Sequence, residues 1–206
     1  MRKFVLTLSC LILILAFAPF LSGYSIDDDK SMDEAAEELP APDRTNQVAF
    51  DKMMDVLTHQ RCVNCHPSDN VPKQAEDRHH HRLGITRVNG DGGTTCNTCH
   101  QDSNNLYSGV PGAPDWALAP HTMRWEGLSR IEIAESMMDP ARNGNRSAED
   151  IMHHLTEHEL VLWAWEPGVD SEGNPRELPP VSKEDYIAAV KEWIDGGAII
   201  PEESVN

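Results

Sequence analysis

The sequence predicts a mainly α-helical protein in which long loops join the helices. Apolar residues recur at helical spacing in four segments, and three of these segments follow a serine with an acidic residue three positions later, the pattern of a capped helix start. Stretches rich in glycine, proline and asparagine separate the four segments. We expect one folded domain, residues 46–206, behind two N-terminal segments of different character.

Residues 1–25 have the pattern of a secretory signal peptide. Arg2 and Lys3 precede an apolar run from Phe4 to Leu21, and small residues follow at the expected cleavage site. The mature protein is therefore expected to be periplasmic or otherwise exported. The run is close to the shortest length that spans a bilayer, so an uncleaved N-terminal membrane anchor is the alternative.

Residues 26–45 are predicted to form a flexible acidic linker, because they contain many acidic residues and few apolar side chains that a core could bury. An amphipathic helix is predicted next, from about Asn46 to Gln60. Its apolar face is expected to hold Val48, Phe50, Met53, Met54 and Leu57. This helix leads directly into the first of two short motifs.

The two motifs are Cys-x-x-Cys-His pentapeptides at residues 62–66 and 96–100. Such a pentapeptide is typical of c-type haem attachment: each thiol bonds to one vinyl group of the haem, and the adjacent imidazole binds the iron. A structural zinc site is the alternative, but about 15–20 residues usually separate the cysteine pairs of such a site, whereas 30 separate them here. The sequence therefore predicts two haem c groups, held by Cys62, Cys65, Cys96 and Cys99, with His66 and His100 as proximal iron ligands.

Two segments offer a sixth ligand for each iron. His79 and His81 follow His66 by 13 and 15 residues, enough chain to reach the opposite face of a haem. Met123 ends a proline-punctuated segment 23 residues after His100, and its thioether would complete a His/Met pair. We expect His81 or His79 to pair with His66, and Met123 to pair with His100. A crossed arrangement is the rival, and core packing is the alternative role of Met123.

Two capped helices are predicted after these segments, one from Ser129 to Met138 and one from Ser147 to about Trp165. On the second helix His154 shares the apolar face. Its imidazole is expected to hydrogen-bond a haem propionate, with ligation of an iron as the alternative. The first helix is expected to bury Ile131, Ala134 and Met138.

A last amphipathic helix is predicted after Ser182, ending at Gly196-Gly197 and presenting Ile187, Val190, Trp193 and Ile194. A helix that leads into a haem motif, together with a closing amphipathic helix, resembles the two ends of class I cytochromes c. The tail Trp193-Ile-Asp-Gly-Gly-Ala198 resembles the Trp-Ile-x-x-Gly-Ala tail common in that family. This resemblance implies cytochrome c-like helices around the two haems, with Trp193 packed on the first helix or on a haem edge.

A second resemblance rests on the segments Asp77-Arg-His-His-His81, Ala119-Pro-His-Thr-Met-Arg-Trp125 and Trp163-Ala-Trp-Glu-Pro-Gly168. The stretch from about Val71 to Gly168 is similar to exported haem proteins labelled cytochrome subunits of isoquinoline 1-oxidoreductase. This similarity implies an electron-transfer role beside a dehydrogenase. The dehydrogenase chemistry would belong to another polypeptide.

The net charge suggests which partners the protein meets. The chain has 17 basic and 34 acidic residues, a net charge of −17, and cleavage that removes Arg2 and Lys3 would take it to −19. This charge disfavours nucleic acids and anionic membranes and favours redox partners with a basic patch, with plain solubility as the alternative. We expect a di-haem carrier of single electrons between a dehydrogenase or other donor and an acceptor, and not an enzyme. A di-haem peroxidase-type enzyme, or a haem subunit of a larger redox complex or wire, is the alternative.

Overall fold

The computed structural model describes residues 41–87 and 96–202. These residues are mainly helical, as predicted, and they contain one short two-stranded sheet. The predicted signal peptide, residues 26–40 of the predicted linker and the glycine-rich segment at 89–93 lie outside the described residues. Within the described part of the chain, no helix is both long enough and apolar enough to cross a membrane.

Helix α1 spans Ala41–Leu57 and begins before the predicted start at Asn46, inside the segment assigned to the linker. The prediction for Val48 is wrong, since this side chain is 55% exposed. The helical period instead turns its neighbour Ala49 inward, on the same face as the buried residues four and seven positions further along, Met53 and Val56. The buried face consists of Ala49, Phe50, Met53, Met54, Val56 and Leu57.

The first Cys-x-x-Cys-His motif begins on a single helical turn, α2, at Gln60–Val63. A short antiparallel hairpin follows, in which strand β1 (Lys73–Gln74) pairs with strand β2 (His79–His80). The second motif lies on a 3₁₀ turn at Cys96–Thr98, and another 3₁₀ turn spans His121–Met123.

The next helices begin where the sequence predicted. Helix α3 spans Arg130–Met138 and a single turn, α4, spans Pro140–Asn143. Both capping boxes are present, Ser129 with Glu132 on α3 and Ser147 with Asp150 on helix α5, Ala148–Glu157. The predicted inward face of α3 is shifted by one residue: Ile133, Ala134 and Met137 are fully buried, whereas Ile131 and Met138 are only partly buried.

The long helix predicted from Ser147 to Trp165 is interrupted at His158. This residue has an extended backbone, and its Nδ1 atom accepts a hydrogen bond of 3.3 Å from the amide of Leu160, so it starts a new turn. That turn, α6, spans Glu159–Leu162, and a 3₁₀ turn follows at Trp163–Trp165. The chain therefore changes direction where the sequence predicted a straight helix.

Helix α7 spans Lys183–Asp195, is capped by Ser182 as predicted, and packs on α1 and α5. The ring of Trp193 lies 6.2 Å from the ring of Phe50, which confirms that Trp193 packs on the first helix. Its carbonyl oxygen also accepts a hydrogen bond of 3.2 Å from the buried Asn46 side chain. Burying each large side chain at this contact stabilises the fold by about 1.5–3 kcal/mol, so α1 and α7 together frame the core beside the first motif.

Candidate haem-attachment site

The two pentapeptides share one backbone hydrogen bond. In the first, the amide of Cys65 donates to the carbonyl of Cys62, at 3.1 Å; in the second, the amide of Cys99 donates to the carbonyl of Cys96, at 3.2 Å. A helical turn of this kind brings residues three and four positions apart to one side of the chain. Both cysteines and the histidine of each motif therefore lie on one face, as attachment to a single planar group requires.

The imidazole of His66 is held on two sides by the segment that follows the second motif. Its Nδ1 atom lies 2.5 Å from the carbonyl oxygen of Met123, and its ring stacks on Trp125 with centroids 3.6 Å apart and planes 13° apart. The amide of Trp125 also donates to the carbonyl of His66, at 2.9 Å. The indole nitrogen of Trp125 donates to the buried Ser136 hydroxyl, at 3.1 Å, and this fixes the stacking partner.

The imidazole of His100 is held in the same manner by different residues. Its Nδ1 atom lies 2.7 Å from the carbonyl oxygen of Pro111, and its ring stacks on Trp116 with centroids 4.5 Å apart and planes 2° apart. Trp116 in turn contacts the edge of Trp163. Gly112, which follows Pro111, packs against the carbonyl oxygens of Gln101 and Ser103 so closely that any Cβ atom would clash with them.

These contacts determine the tautomer of both histidines. A carbonyl oxygen can only accept a hydrogen bond, so the Nδ1 atoms of His66 and His100 carry the protons. In a neutral imidazole the Nε2 atom then keeps its lone pair and is available to a metal. The same orientation is found in metal-binding histidines generally, where the second ring nitrogen donates to a carbonyl or carboxylate.

The electrostatic surroundings keep these imidazoles neutral. Burial lowers the pKa of His66 to about 4; the Met123 carbonyl opposes this effect and the nearby His154 adds to it. Burial also lowers the pKa of His100. The Pro111 carbonyl opposes this effect and His81 adds to it. Both rings are therefore neutral at neutral pH, with Nδ1 protonated and Nε2 free of a proton, as metal ligands must be.

The cysteines of the first motif lie deep in the fold but are not closely covered. Burial raises the pKa of Cys62 to about 12 and, together with the neighbouring Cys96 thiol, raises that of Cys65 to about 11. Even so, both side chains, like that of His66, retain accessible surface. Both cysteines are therefore accessible for covalent attachment of a group.

The histidines of the hairpin occupy three different environments. His79 uses both ring nitrogens within the hairpin, with Nδ1 2.6 Å from the Asp77 carboxylate and Nε2 2.7 Å from the Gln74 side chain. His80 is exposed. His81 lies beside the second motif, with its ring centroid 6.0 Å from that of His100. The hairpin therefore approaches the second motif, although the sequence analysis paired its histidines with the first.

Met123 also lies beside the other motif from the one predicted. Its carbonyl contacts His66 of the first motif, and its side chain is buried in the hydrophobic core. His154 contributes to the lowered pKa of His66, and its ring centroid is 5.0 Å from that of His158. Burial, with a further contribution from His158, lowers the pKa of His154 to about 4, so this imidazole too is neutral.

Sequence reasoning missed several residues that shape the site. No role was predicted for the stacking tryptophans Trp116 and Trp125. Arg61, which precedes the first motif, is buried; its guanidinium pairs with Glu76 and donates to the carbonyl of Glu177, at 2.9 Å. The sequence signal for the stacking contacts is a tryptophan downstream of each histidine. The sequence does not indicate which tryptophan stacks on the histidine of which motif.

No three side chains of His, Cys, Asp or Glu converge on one point within residues 41–87 and 96–202. Haem iron takes one protein ligand on each of its two faces, so a pair of side chains is the arrangement to look for. Comparison of the whole chain with protein-family models, with curated proteins and with solved structures gives no match.

Proposed function

We propose that this protein is an exported di-haem c-type cytochrome that passes single electrons between partner proteins. One observation carries the proposal: each Cys-x-x-Cys-His turn presents two thiols and an imidazole on one face, with Nδ1 of the imidazole on a backbone carbonyl. Each haem would supply one-electron exchange at its iron. The residues of this chain attach the haem, orient the proximal imidazole and keep that imidazole neutral.

The neighbouring positions of the two motifs support electron transfer between the haems. The carbonyl of Met123, which follows the second motif, lies 2.5 Å from Nδ1 of His66, and the ring of His81, which follows the first motif, lies 6.0 Å from that of His100. The stacked pairs His66–Trp125 and His100–Trp116 immobilise both proximal imidazoles. A ligand that cannot reorient favours electron transfer, because little rearrangement accompanies a change in the charge of the iron.

The acidic surface suits a carrier that meets its partners transiently. The net charge of −17 would attract a basic docking patch on a donor or acceptor and speed the encounter without tight binding. A dehydrogenase is one such donor. The same charge disfavours binding to nucleic acids and to anionic membrane surfaces.

The first test is the haem content of the protein, produced in a periplasm that carries out haem attachment. Its intact mass should exceed that of the mature polypeptide by two haems, roughly 1.2 kDa, and acidic organic solvent should leave the colour on the polypeptide. Changing Cys96 and Cys99 to alanine should remove one haem, and changing Cys62 and Cys65 should remove the other. A colourless protein, or one that binds zinc through these cysteines, would refute the proposal.

The second test separates a carrier from a peroxidase-type enzyme. A carrier should exchange electrons reversibly with a small mediator in two one-electron steps, and its ferrous form should not bind carbon monoxide. A peroxidase-type enzyme needs an iron with an open or displaceable position and should consume hydrogen peroxide catalytically. Catalytic turnover of peroxide would therefore contradict the carrier function and support a peroxidase-type enzyme.

A further inference from the structure

His81 and His100 lie in an arrangement that the proximal role of His100 does not explain. Their ring centroids are 6.0 Å apart, with planes inclined by 61°. One face of His100 is already covered by Trp116. The approach of His81 therefore adds a second imidazole to a ring that is fully held without it.

The separation of the two rings suits a shared metal ion. A metal–imidazole bond of about 2 Å, and about 1 Å more from the nitrogen to the ring centre, place two imidazoles on opposite sides of one metal about 6 Å apart, centre to centre. Rings in direct stacking contact lie closer, as in the pair His66–Trp125 at 3.6 Å. The observed 6.0 Å is therefore compatible with two ligands on one iron.

The tautomer of His81 also suits this role. Its Nδ1 atom lies 2.6 Å from the carbonyl oxygen of Arg82, and its backbone amide donates to the carbonyl of Pro72, at 2.7 Å. The proton is therefore on Nδ1, and Nε2 is the nitrogen available to a metal. His81 and His100 are thus oriented in the same way, each by a backbone carbonyl.

The other two histidines of the hairpin do not share these properties. His79 uses both ring nitrogens in hydrogen bonds to Asp77 and Gln74. His80 is exposed and lies 3.4 Å from the Asp69 carboxylate. The antiparallel pairing of His80 with Lys73 fixes the end of the hairpin and so directs the next residue, His81, towards the second motif.

We propose that His81 and His100 bind the iron of the second haem from its two sides, so that the hairpin after the first motif supplies the sixth ligand of the second. This inference rests on the proposed di-haem function. It makes the second haem bis-imidazole, which favours the ferric form relative to His/Met ligation. It also links the two haem sites, because the hairpin that follows the first motif supplies a ligand to the iron of the second haem.

The test uses the holo-protein and the variants His81→Ala and His81→Met, with His79→Ala and His80→Ala as matched controls from the same hairpin. Haem content is measured by intact mass, and the spin state of each ferric haem by electron paramagnetic resonance. We expect His81→Ala to retain two covalent haems while half of the ferric haem changes from low to high spin. Free imidazole should restore the low-spin signal by occupying the vacated position. Both controls should keep the wild-type spectrum.

His81→Met covers the case in which the alanine variant does not fold. A thioether at this position should keep the iron six-coordinate and raise one of the two reduction potentials, leaving the other unchanged. Unchanged spectra and potentials in both His81 variants, with two haems present, would overturn the pairing and leave the proposed function intact. The absence of haem from the wild-type protein would instead overturn the proposed function itself.

Discussion

The Nδ1 atom of His66 lies 2.5 Å from the carbonyl oxygen of Met123, so the first motif is oriented by a residue that follows the second. The contact uses the backbone of Met123, while its side chain packs in the core. The sequence had suggested this thioether as a ligand of the second iron. The structure instead brings its backbone to the first histidine, and the two roles can be separated by substitution.

We predict that Met123→Leu retains both haems and both reduction potentials, because leucine keeps the carbonyl that orients His66. The substitution should cost less than about 1.5 kcal/mol of stability, as volume-conserving core changes usually do. Met137→Leu, at another buried methionine, is the control. A far-red thioether-to-iron band in the wild-type ferric spectrum that Met123→Leu alone abolishes would show that Met123 is a ligand after all.

The contact between α1 and α7 allows a double-mutant test. A Cβ atom at Gly196 would overlap the side-chain amide of Asn46, which donates to the carbonyl of Trp193. Gly196→Ala should therefore cost about 1–3 kcal/mol, as overpacking does, measured by urea unfolding of the holo-protein. Asn46→Ala alone should cost about 1 kcal/mol for the lost hydrogen bond.

The two substitutions should not be additive. In the Asn46→Ala background the Asn46 amide no longer occupies the space beside Gly196. Gly196→Ala should therefore lower the free energy of unfolding much less there than in the wild-type protein. Additive costs would mean that the methyl group is accommodated by a shift of the helices and not opposed by Asn46.

The capping box of α5 should contribute to the loss of folding stability at low pH. Hydrogen bonds from the side chain and the backbone amide of Ser147 lower the pKa of Asp150 below its ordinary value of 3.8. A carboxylate whose pKa is lower in the folded state stabilises the fold above its unfolded pKa, and this contribution is lost as the pH falls below 3.8.

We therefore expect Asp150→Asn to be less stable than the wild type at neutral pH and to lose less stability on acidification. Thermal unfolding of the holo-protein at a series of pH values measures both effects. Glu149→Gln is the control, because it removes the same charge from the first turn outside the capping box. Parallel pH profiles for the wild type and Asp150→Asn would contradict the assignment.

Electron exchange with a basic partner should depend strongly on salt. The chain carries a net charge of −17, and the attraction between exposed charges is largely screened once the ionic strength passes about 0.1 M. Stopped-flow oxidation by a basic cytochrome should therefore slow as salt is added, whereas oxidation by an uncharged small molecule should not. Equal salt dependence for both oxidants would point to apolar docking.

The serine-capped helix starts were the most predictable part of the fold. The caps at Ser129, Ser147 and Ser182 lie where the sequence placed them, because a capping box involves residues only three positions apart. The buried faces were less predictable. Val48 is exposed and the inward face of α3 is shifted by one residue, because a helical period sets only the width of an apolar stripe, and the neighbouring elements select which part of it they cover.

The break at His158 was not predicted for a related reason. Its imidazole accepts a hydrogen bond from the amide of Leu160 and ends the helix, whereas the apolar pattern continues unchanged to Trp165. Periodicity cannot distinguish one long helix from two short ones that bury the same face. A histidine is a less common cap than serine, so no sequence signal marked the change.

The sequence by itself determined the local chemistry of this protein: two turns that each place a pair of thiols and an imidazole on one face, and the caps that begin its helices. These features depend on residues within four positions of one another, and hydrogen bonds inside one turn decide them. The tertiary structure decided which carbonyl orients each histidine, which tryptophan stacks on it, and that His81 lies at the second motif while Met123 lies at the first. These contacts join residues far apart in the chain, and only the packing of α1, α3, α5 and α7 around a common core brings them together.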